Sequence, residues 1–316
     1  MSFCFLFPGQ GAQYPGMGRD FYDHSTTVQE LFQQASDAAG RDLSRLVFDG
    51  TAEELKQTDN TQIAITVTSL AAAIVMREHG LSPAACAGFS LGEYAALVES
   101  GVLALEDVFP VVLARGQIME EVSRELDTAT GSAGMTAVMG LSFEKVSEVL
   151  SMAPAEDVYP GIWNSPVQTV ISGTADALTA AEDALKKAGA KRCIRLKVSG
   201  PFHSPLMSKA ATRFADVLAD TTFHDPTLPV YSNVTGDTIT TGAEARNYCV
   251  KQLISTVQWV PEQRAVVRDG FHRVAEVGPG TVLSGLWKNY TKTEHETELP
   301  CRAAGTVEDI KTLAAE

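Results

Sequence analysis

Residues 84–98 read Ala84-Ala85-Cys86-Ala87-Gly88-Phe89-Ser90-Leu91-Gly92-Glu93-Tyr94-Ala95-Ala96-Leu97-Val98. The small apolar residues at the start suit a buried strand, and the stretch from Leu91 suits a helix that Gly101 can end. Between them lies Gly88-Phe89-Ser90-Leu91-Gly92, a G-x-S-x-G. A serine at such a turn projects its hydroxyl above the sheet, and the two glycines let strand and helix approach without Cβ clashes. The N–H of Leu91, at the helix start, is placed to meet a developing oxyanion. The same five residues also fit a plain tight turn in which Ser90 only caps the helix.

Working outward, Phe3–Phe7 is a continuous apolar run that stops at Pro8-Gly9-Gln10-Gly11, as a strand buried on both faces of a parallel sheet would. Gln10 falls at the ligand-facing end of that strand, where its N–H is a candidate second oxyanion donor. A dinucleotide loop does not fit, because Tyr14 stands where a third glycine is needed, and no Gly-Lys-Ser/Thr occurs. The pattern predicts helices over Thr61–Arg77 and Leu105–Leu126, the second kinked or trimmed by Pro110. From 131 to 198 the rhythm changes. Strands are expected at Met135–Met139, Tyr159–Asn164, Gln168–Ser172 and Lys191–Val198, with helices at Ser142–Met152 and Asp176–Ala188. That order is β-α-β-β-α-β, the ferredoxin-like unit. Afterwards come a helix at Ser204–Leu218, a strand at Pro229–Asn233, a helix at Asn247–Ile254 and a strand at Arg273–Val277. The expected class is α/β: an α/β-hydrolase-like core with a parallel sheet, formed by 1–130 and 199–316, and a small ferredoxin-like α+β insert over 131–198.

Composition narrows the setting. The 316 residues are 45% hydrophobic and 20% charged, ordinary for a globular protein. No apolar run approaches the roughly 18 residues of a spanning helix. The N-terminal residues lack a basic region and are not read as a signal peptide. Five scattered cysteines, odd in number and never in Cys-x-x-Cys, argue for a reducing cytoplasm and against a disulfide framework or metal site. A net charge of −14 disfavours nucleic acid, so an anionic ligand needs a local basic site. No heptad asks for a partner, and a monomer is expected.

A serine nucleophile needs a base. Of six histidines, His203 stands out, in the loop Ser199-Gly-Pro-Phe-His-Ser-Pro205 between an expected strand and helix. No acidic residue marks itself as a third member, so a dyad is expected. Arg115 lies in a mostly apolar helix, where a buried charge requires a partner. That partner is either a neighbouring carboxylate or the carboxylate of a substrate held bidentately.

With these residues placed, the chain resembles the malonyl-CoA:acyl-carrier-protein transacylase family. The resemblance covers nearly the whole sequence. It rests on Phe7-Pro-Gly-Gln-Gly-Ala-Gln13, Gly88-Phe-Ser-Leu-Gly-Glu-Tyr94, Arg115-Gly116, Trp163-Asn-Ser-Pro166, Gly200-Pro-Phe-His203, Gln252-Leu253 with Val257-Gln-Trp259, and Glu276-Val-Gly-Pro-Gly280. It implies a ping-pong transfer in fatty-acid synthesis. Ser90, with His203 as base, takes the malonyl group from malonyl-CoA and passes it to the phosphopantetheine thiol of acyl carrier protein. No resident cofactor is called for. It further implies an oxyanion hole from Gln10 and Leu91, Arg115 on the malonyl carboxylate, and Gln252 orienting His203 through its main-chain carbonyl. Phe89, Met119 and Phe202 then shape the acyl pocket, and Asn164 lines the site. Phe202 and Leu91 match the malonyl-selective subset. The family pattern has His immediately before the serine, where this chain has Phe89, and Pro110 is a second departure.

Two rivals share the elbow: a free-standing acyltransferase supplying a polyketide synthase, and a serine esterase or thioesterase. On the expected insert, Lys186, Lys187, Lys191, Arg192, Arg195 and Lys197 form a basic cluster, either a solvated face or a dock for carrier protein or CoA phosphates.

Overall fold

The computed structural model describes residues 3–152, 156–295 and 299–316. Its strands are β1 (Phe3–Phe7), β2 (Pro83–Gly88), β3 (Gly134–Met139), β4 (Val158–Ser165), β5 (Gln168–Gly173), β6 (Arg192–Arg195), β7 (Val274–Val277) and β8 (Cys301–Ala304). They form two sheets. One is parallel, in the order β2-β1-β7-β8; the other has the order β4-β5-β3-β6. In the second sheet every pair is antiparallel, and with its two helices, Phe143–Met152 and Ala175–Lys187, this is the ferredoxin-like topology.

β1 is buried along its whole length because helices cover both faces of the parallel sheet. The helix Thr58–Glu78 packs there with nearly every residue buried, Thr61, Gln62, Thr66 and Thr68 included. Its threonines satisfy themselves by donating to carbonyls, as Thr66 does to Gln62. The helix Leu105–Glu125 runs unbroken through Pro110, which is therefore neither its start nor a stop. Pro110 sits on the exposed side, where water can satisfy the carbonyl it leaves free.

Some boundaries differ from the sequence expectations. Pro229–Asn233 is not a strand but two isolated bridges, Tyr231 with Thr238 and Val230 with Cys86, the latter through Tyr231 N–H to the Cys86 carbonyl and Cys86 N–H to that of Pro229. The next helix starts at Gly242 rather than Asn247, because Thr241 and Glu244 form a capping box. Lys191–Val198 shortens to Arg192–Arg195, an exposed edge strand, although Lys191 and Leu196 still donate to β3 carbonyls. The helix from Ser204 divides into a 3₁₀ turn at Pro205–Met207 and an α-helix at Ser208–Ala219.

The two sheets are joined where the site lies. Val257 bridges β4 on both sides, its N–H to the Gly161 carbonyl and its carbonyl to Trp163 N–H, each 2.9 Å. The main apolar core continues into Met135, Ile162 and Val170 of the small sheet. A second cluster, around Val138, Leu178 and Leu185, lies beneath its two helices. Among the described residues, no helix is long and apolar enough to cross a membrane.

Candidate active site

Ser90 follows the end of β2 after one intervening residue, at the start of the turn into the helix Gly92–Glu99. The turn tolerates no bulk. A Cβ on Gly88 would lie 2.1 Å from the Gly92 carbonyl carbon, and one on Gly92 would lie 2.0 Å from the Phe7 carbonyl oxygen. A Cβ on Gly9 would come within 2.3 Å of the Phe89 carbonyl oxygen, so the loop carrying Gln10 is pressed against the elbow. Ser90 itself is left-handed, at φ 52°. Such a non-glycine conformation costs about 1–3 kcal/mol and persists only where the surroundings hold it. Here Asn233 does so, its Oδ1 accepting from Ser90 N–H at 2.6 Å and its Nδ2 donating to the Gly88 carbonyl at 2.6 Å.

His203 is left-handed as well, at φ 59°. Its loop is tied on both sides, by Ser172 Oγ donating to the Phe202 carbonyl at 2.5 Å and Ser204 Oγ to that of Pro201 at 2.5 Å. The Nδ1 of His203 lies 2.7 Å from the Gln252 main-chain carbonyl, which can only accept. The proton therefore belongs on Nδ1, and the lone pair of Nε2 faces Ser90 Oγ at 2.8 Å. Burial, then the Arg115 charge, push the imidazole down to about 4 against the pull of the Gln252 carbonyl, so it is a neutral base at physiological pH. Among the described residues no carboxylate hydrogen-bonds to the imidazole, whose two nitrogens face Ser90 and the Gln252 carbonyl.

Arg115 is completely buried. The guanidinium donates to Gln62 Oε1 at 2.7 Å and to Gln252 Oε1 at 2.9 Å, and it reaches Ser90 Oγ at 3.5 Å. It also lies 5.4 Å from the Tyr94 ring centre, a cation–π contact. A direct ion pair with a neighbouring Glu or Asp is not what holds it. Among the described residues all the side-chain groups that accept from it directly are neutral, and the cation stands beside the nucleophile.

A cavity of about 220 Å³ opens over Ser90 and His203. Gln10, Phe89, Arg115, Met119, Asn164 and Phe202 all line it, so the structure gathers these sequence candidates in one place. Phe89 packs edge-on against Trp259, 5.2 Å between centroids. Leu91 and Gln252 do not line it: Leu91 is buried next to Ser90, and Gln252 meets His203 through its main-chain carbonyl and Ser90 through its side-chain amide. Among the described residues, the N–H groups of Gln10 and Leu91 donate to no protein acceptor.

Sequence reasoning missed Gln62, Glu93, Asn233 and Glu262. Glu93 accepts from the Gln252 amide, and Glu262 Oε1 accepts from Asn233 Nδ2 at 2.7 Å. Burial raises Glu93 to about 7; burial and the neighbouring Glu93 raise Glu262 well above the carboxylate range. The cavity's far wall, Met135, Ile162, Val170, Leu196 and Val198, was also missed, since nothing local in these strands marks a ligand face. The Glu276-Val-Gly-Pro-Gly280 block was seen without a reason. Its carboxylate accepts from Leu283 N–H at 2.9 Å and Ser284 N–H at 2.7 Å, fixing the start of the helix Val282–Glu294 that adds Val282 and Leu286 to the cavity.

Residues 4–312 match the acyl transferase domain family. Over 291 residues the chain is 39% identical to the malonyl CoA-acyl carrier protein transacylase of Bacillus subtilis (strain 168), covering 92% of this chain and 90% of that protein. Over 293 residues it is 41% identical to the enzyme of that name from Escherichia coli (strain K12), covering 92% and 93%. The chain belongs to the malonyl-CoA:acyl-carrier-protein transacylase family. Among solved members, the transacylase from Coxiella burnetii superposes with a TM-score of 0.93 at 36% identity, over 100% of this chain and 97% of that one. A malonyl-transacylase solved in complex with a type II polyketide acyl-carrier protein gives 0.92 at 35% identity, over 100% and 99%. The fold of this transacylase-family chain, two sheets with the elbow between them, is that of its relatives.

Proposed function

We infer that the chain is an acyl-carrier-protein S-malonyltransferase of fatty-acid synthesis, moving malonyl from malonyl-CoA to the carrier's phosphopantetheine thiol through a malonyl-serine. His203 Nε2 takes the Ser90 proton as Oγ attacks the thioester carbonyl. The N–H groups of Gln10 and Leu91 receive the oxyanion. Collapse expels the CoA thiol, which takes the proton back from His203. The carrier thiol then gives its proton to His203 and attacks the acyl-serine, and the Ser90 oxygen leaves with that proton. No resident cofactor enters any step.

The observation that carries this reading is Arg115, fully buried with only neutral partners and 3.5 Å from Ser90 Oγ. A fixed cation there suits a carboxylated acyl group. A fatty chain offers the guanidinium no acceptor in the cavity, and a buried donor left unsatisfied there costs about 1–3 kcal/mol. That disfavours the esterase and thioesterase readings. Phe89, Met119 and Phe202 form the acyl pocket in this reading, with Asn164 beside it. The test is a panel of malonyl-, methylmalonyl- and acetyl-CoA on the wild type, Arg115→Ala and Phe89→His. The wild type should prefer malonyl, Arg115→Ala should lose that preference, and Phe89→His should change only the malonyl-to-methylmalonyl ratio. Equal malonyl and acetyl transfer by the wild type would overturn the reading.

The domain division belongs to the same reading, with 1–130 and 199–316 as the catalytic unit and 131–198 as the insert. The separate apolar cluster under the insert's helices supports it. A cytoplasmic monomer is the state we assign; five free cysteines support the compartment.

A further inference from the structure

Arg115 and Glu93 are both buried, and they are linked through one amide. Gln252 Oε1 accepts from Arg115 Nη2 at 2.9 Å, while Gln252 Nε2 donates to Glu93 Oε2 and to the Ser90 carbonyl at 3.1 Å. That amide has only one workable orientation, because both groups facing Nε2 are acceptors. Glu93 thereby aims Gln252 Oε1 at the guanidinium. Asn233 N–H also points at Glu93 Oε2, at 3.4 Å.

The charged and titratable groups around Glu93 come from three helices. Arg115 faces it from Leu105–Glu125, Cys249 from Gly242–Gln252, and Glu262 from Trp259–Arg268, with Tyr94 beside it on its own helix. His203 feels the Arg115 charge and is not among the groups that act on Glu93. Cys249, Tyr94 and Glu262 are all pushed towards their protonated forms by burial, so Arg115 is the one member of this set that carries charge throughout the neutral range. One cation thus serves two claimants, Glu93 from behind and a substrate carboxylate from the cavity.

We propose that Glu93 is the counter-charge of Arg115 in the empty site, acting through the Gln252 amide, and that it takes up one proton when a substrate carboxylate arrives. The proton comes from bulk solvent, and no bond of the substrate changes. The inference rests on the malonyl reading of the cavity and makes Glu93 a positioning residue for carboxylated thioesters. Its pKa of about 7 places the exchange in an accessible range. A raised acid is ionised above that value, and an incoming anion favours its protonated form. Malonyl binding should therefore weaken as pH rises, by at most about tenfold per unit.

Titration calorimetry on Ser90→Ala at about pH 7.5, in two buffers of unlike ionisation enthalpy, counts the protons. Malonyl-CoA should take up more protons than free CoA, which carries the same phosphates, by up to about one. In Ser90→Ala/Glu93→Gln that excess should vanish. In the wild type, KM for malonyl-CoA should rise between about pH 7 and 8.5 with kcat unchanged and acetyl transfer flat. Equal proton uptake from malonyl-CoA and CoA overturns the proposal, whether or not the Glu93 variant folds. Failure of malonyl-CoA to bind Ser90→Ala, together with failure to acylate the wild type, would instead bring down the malonyl reading on which it stands.

Discussion

The two sheets contribute unlike halves to one cavity. The parallel sheet, its helices and their loops supply a fixed polar set, Ser90, His203, Arg115 and the Gln252 amide. Each is fixed by two or more hydrogen bonds or by a backbone that admits no Cβ. The small sheet and the segment that follows β6 supply chiefly apolar wall, Met135, Ile162 and Val170 from the strands and Leu196 and Val198 after them, with Asn164 and Gln168 the main polar points. A reacting serine demands fixed geometry, whereas an apolar wall demands only shape and dryness. Substitutions in the two halves should therefore differ in size and in kind.

The largest loss is expected from His203→Ala. Removing the base should lower acylation by on the order of 10⁴-fold, read by stopped-flow release of CoA. A change of tenfold or less would mean the polar half does not work as a unit. The same imidazole sets the acid limit. Because the neutral form is the base and its pKa is about 4, kcat should stay level from neutral pH to about 5 and fall below about 4. A fall centred near the ordinary histidine value would show that His203 is far wetter than its burial implies.

How much of this contrast could be read in the sequence follows the same line. The elbow, His203 and Arg115 were legible because strand, turn and helix are local patterns, and the small sheet was legible from its alternation of elements. Asn233 was not, since it meets Ser90 across 143 positions and sits where a strand was expected. Glu93 was quoted within the elbow motif, yet its role depends on Gln252, 159 positions away. The apolar wall escaped for a different reason: alternate residues of a strand face either core or cavity, and only the position of the other sheet decides which. Arg115 needed both levels, because the helix pattern buried it but only the fold revealed that its partners are neutral.

Smaller effects should come from the small sheet. Leu196→Ala or Val198→Ala should raise KM for malonyl-CoA a few-fold, about 1 kcal/mol of lost apolar contact, with kcat nearly constant. A fall in kcat instead would place these strands among the groups that align the thioester. The smallest effect is expected at the basic cluster beside that wall. Arg195 is paired with Glu182 and Lys186 with Asp183, while Lys187 and Lys191 are exposed, and the edge strand also exposes Ile194. Reversing Lys187 and Lys191 to Glu should slow transfer to carrier protein several-fold at low salt and leave acylation by malonyl-CoA alone. No change at low salt would remove the carrier from this face.

The central claim is that Ser90 carries malonyl from CoA to the carrier. Intact-protein mass spectrometry after mixing with malonyl-CoA tests it. The wild type should gain one malonyl group and Ser90→Ala none, and carrier protein bearing phosphopantetheine should discharge the adduct. An adduct that persists in Ser90→Ala, or one that water clears as fast as the carrier does, would contradict it.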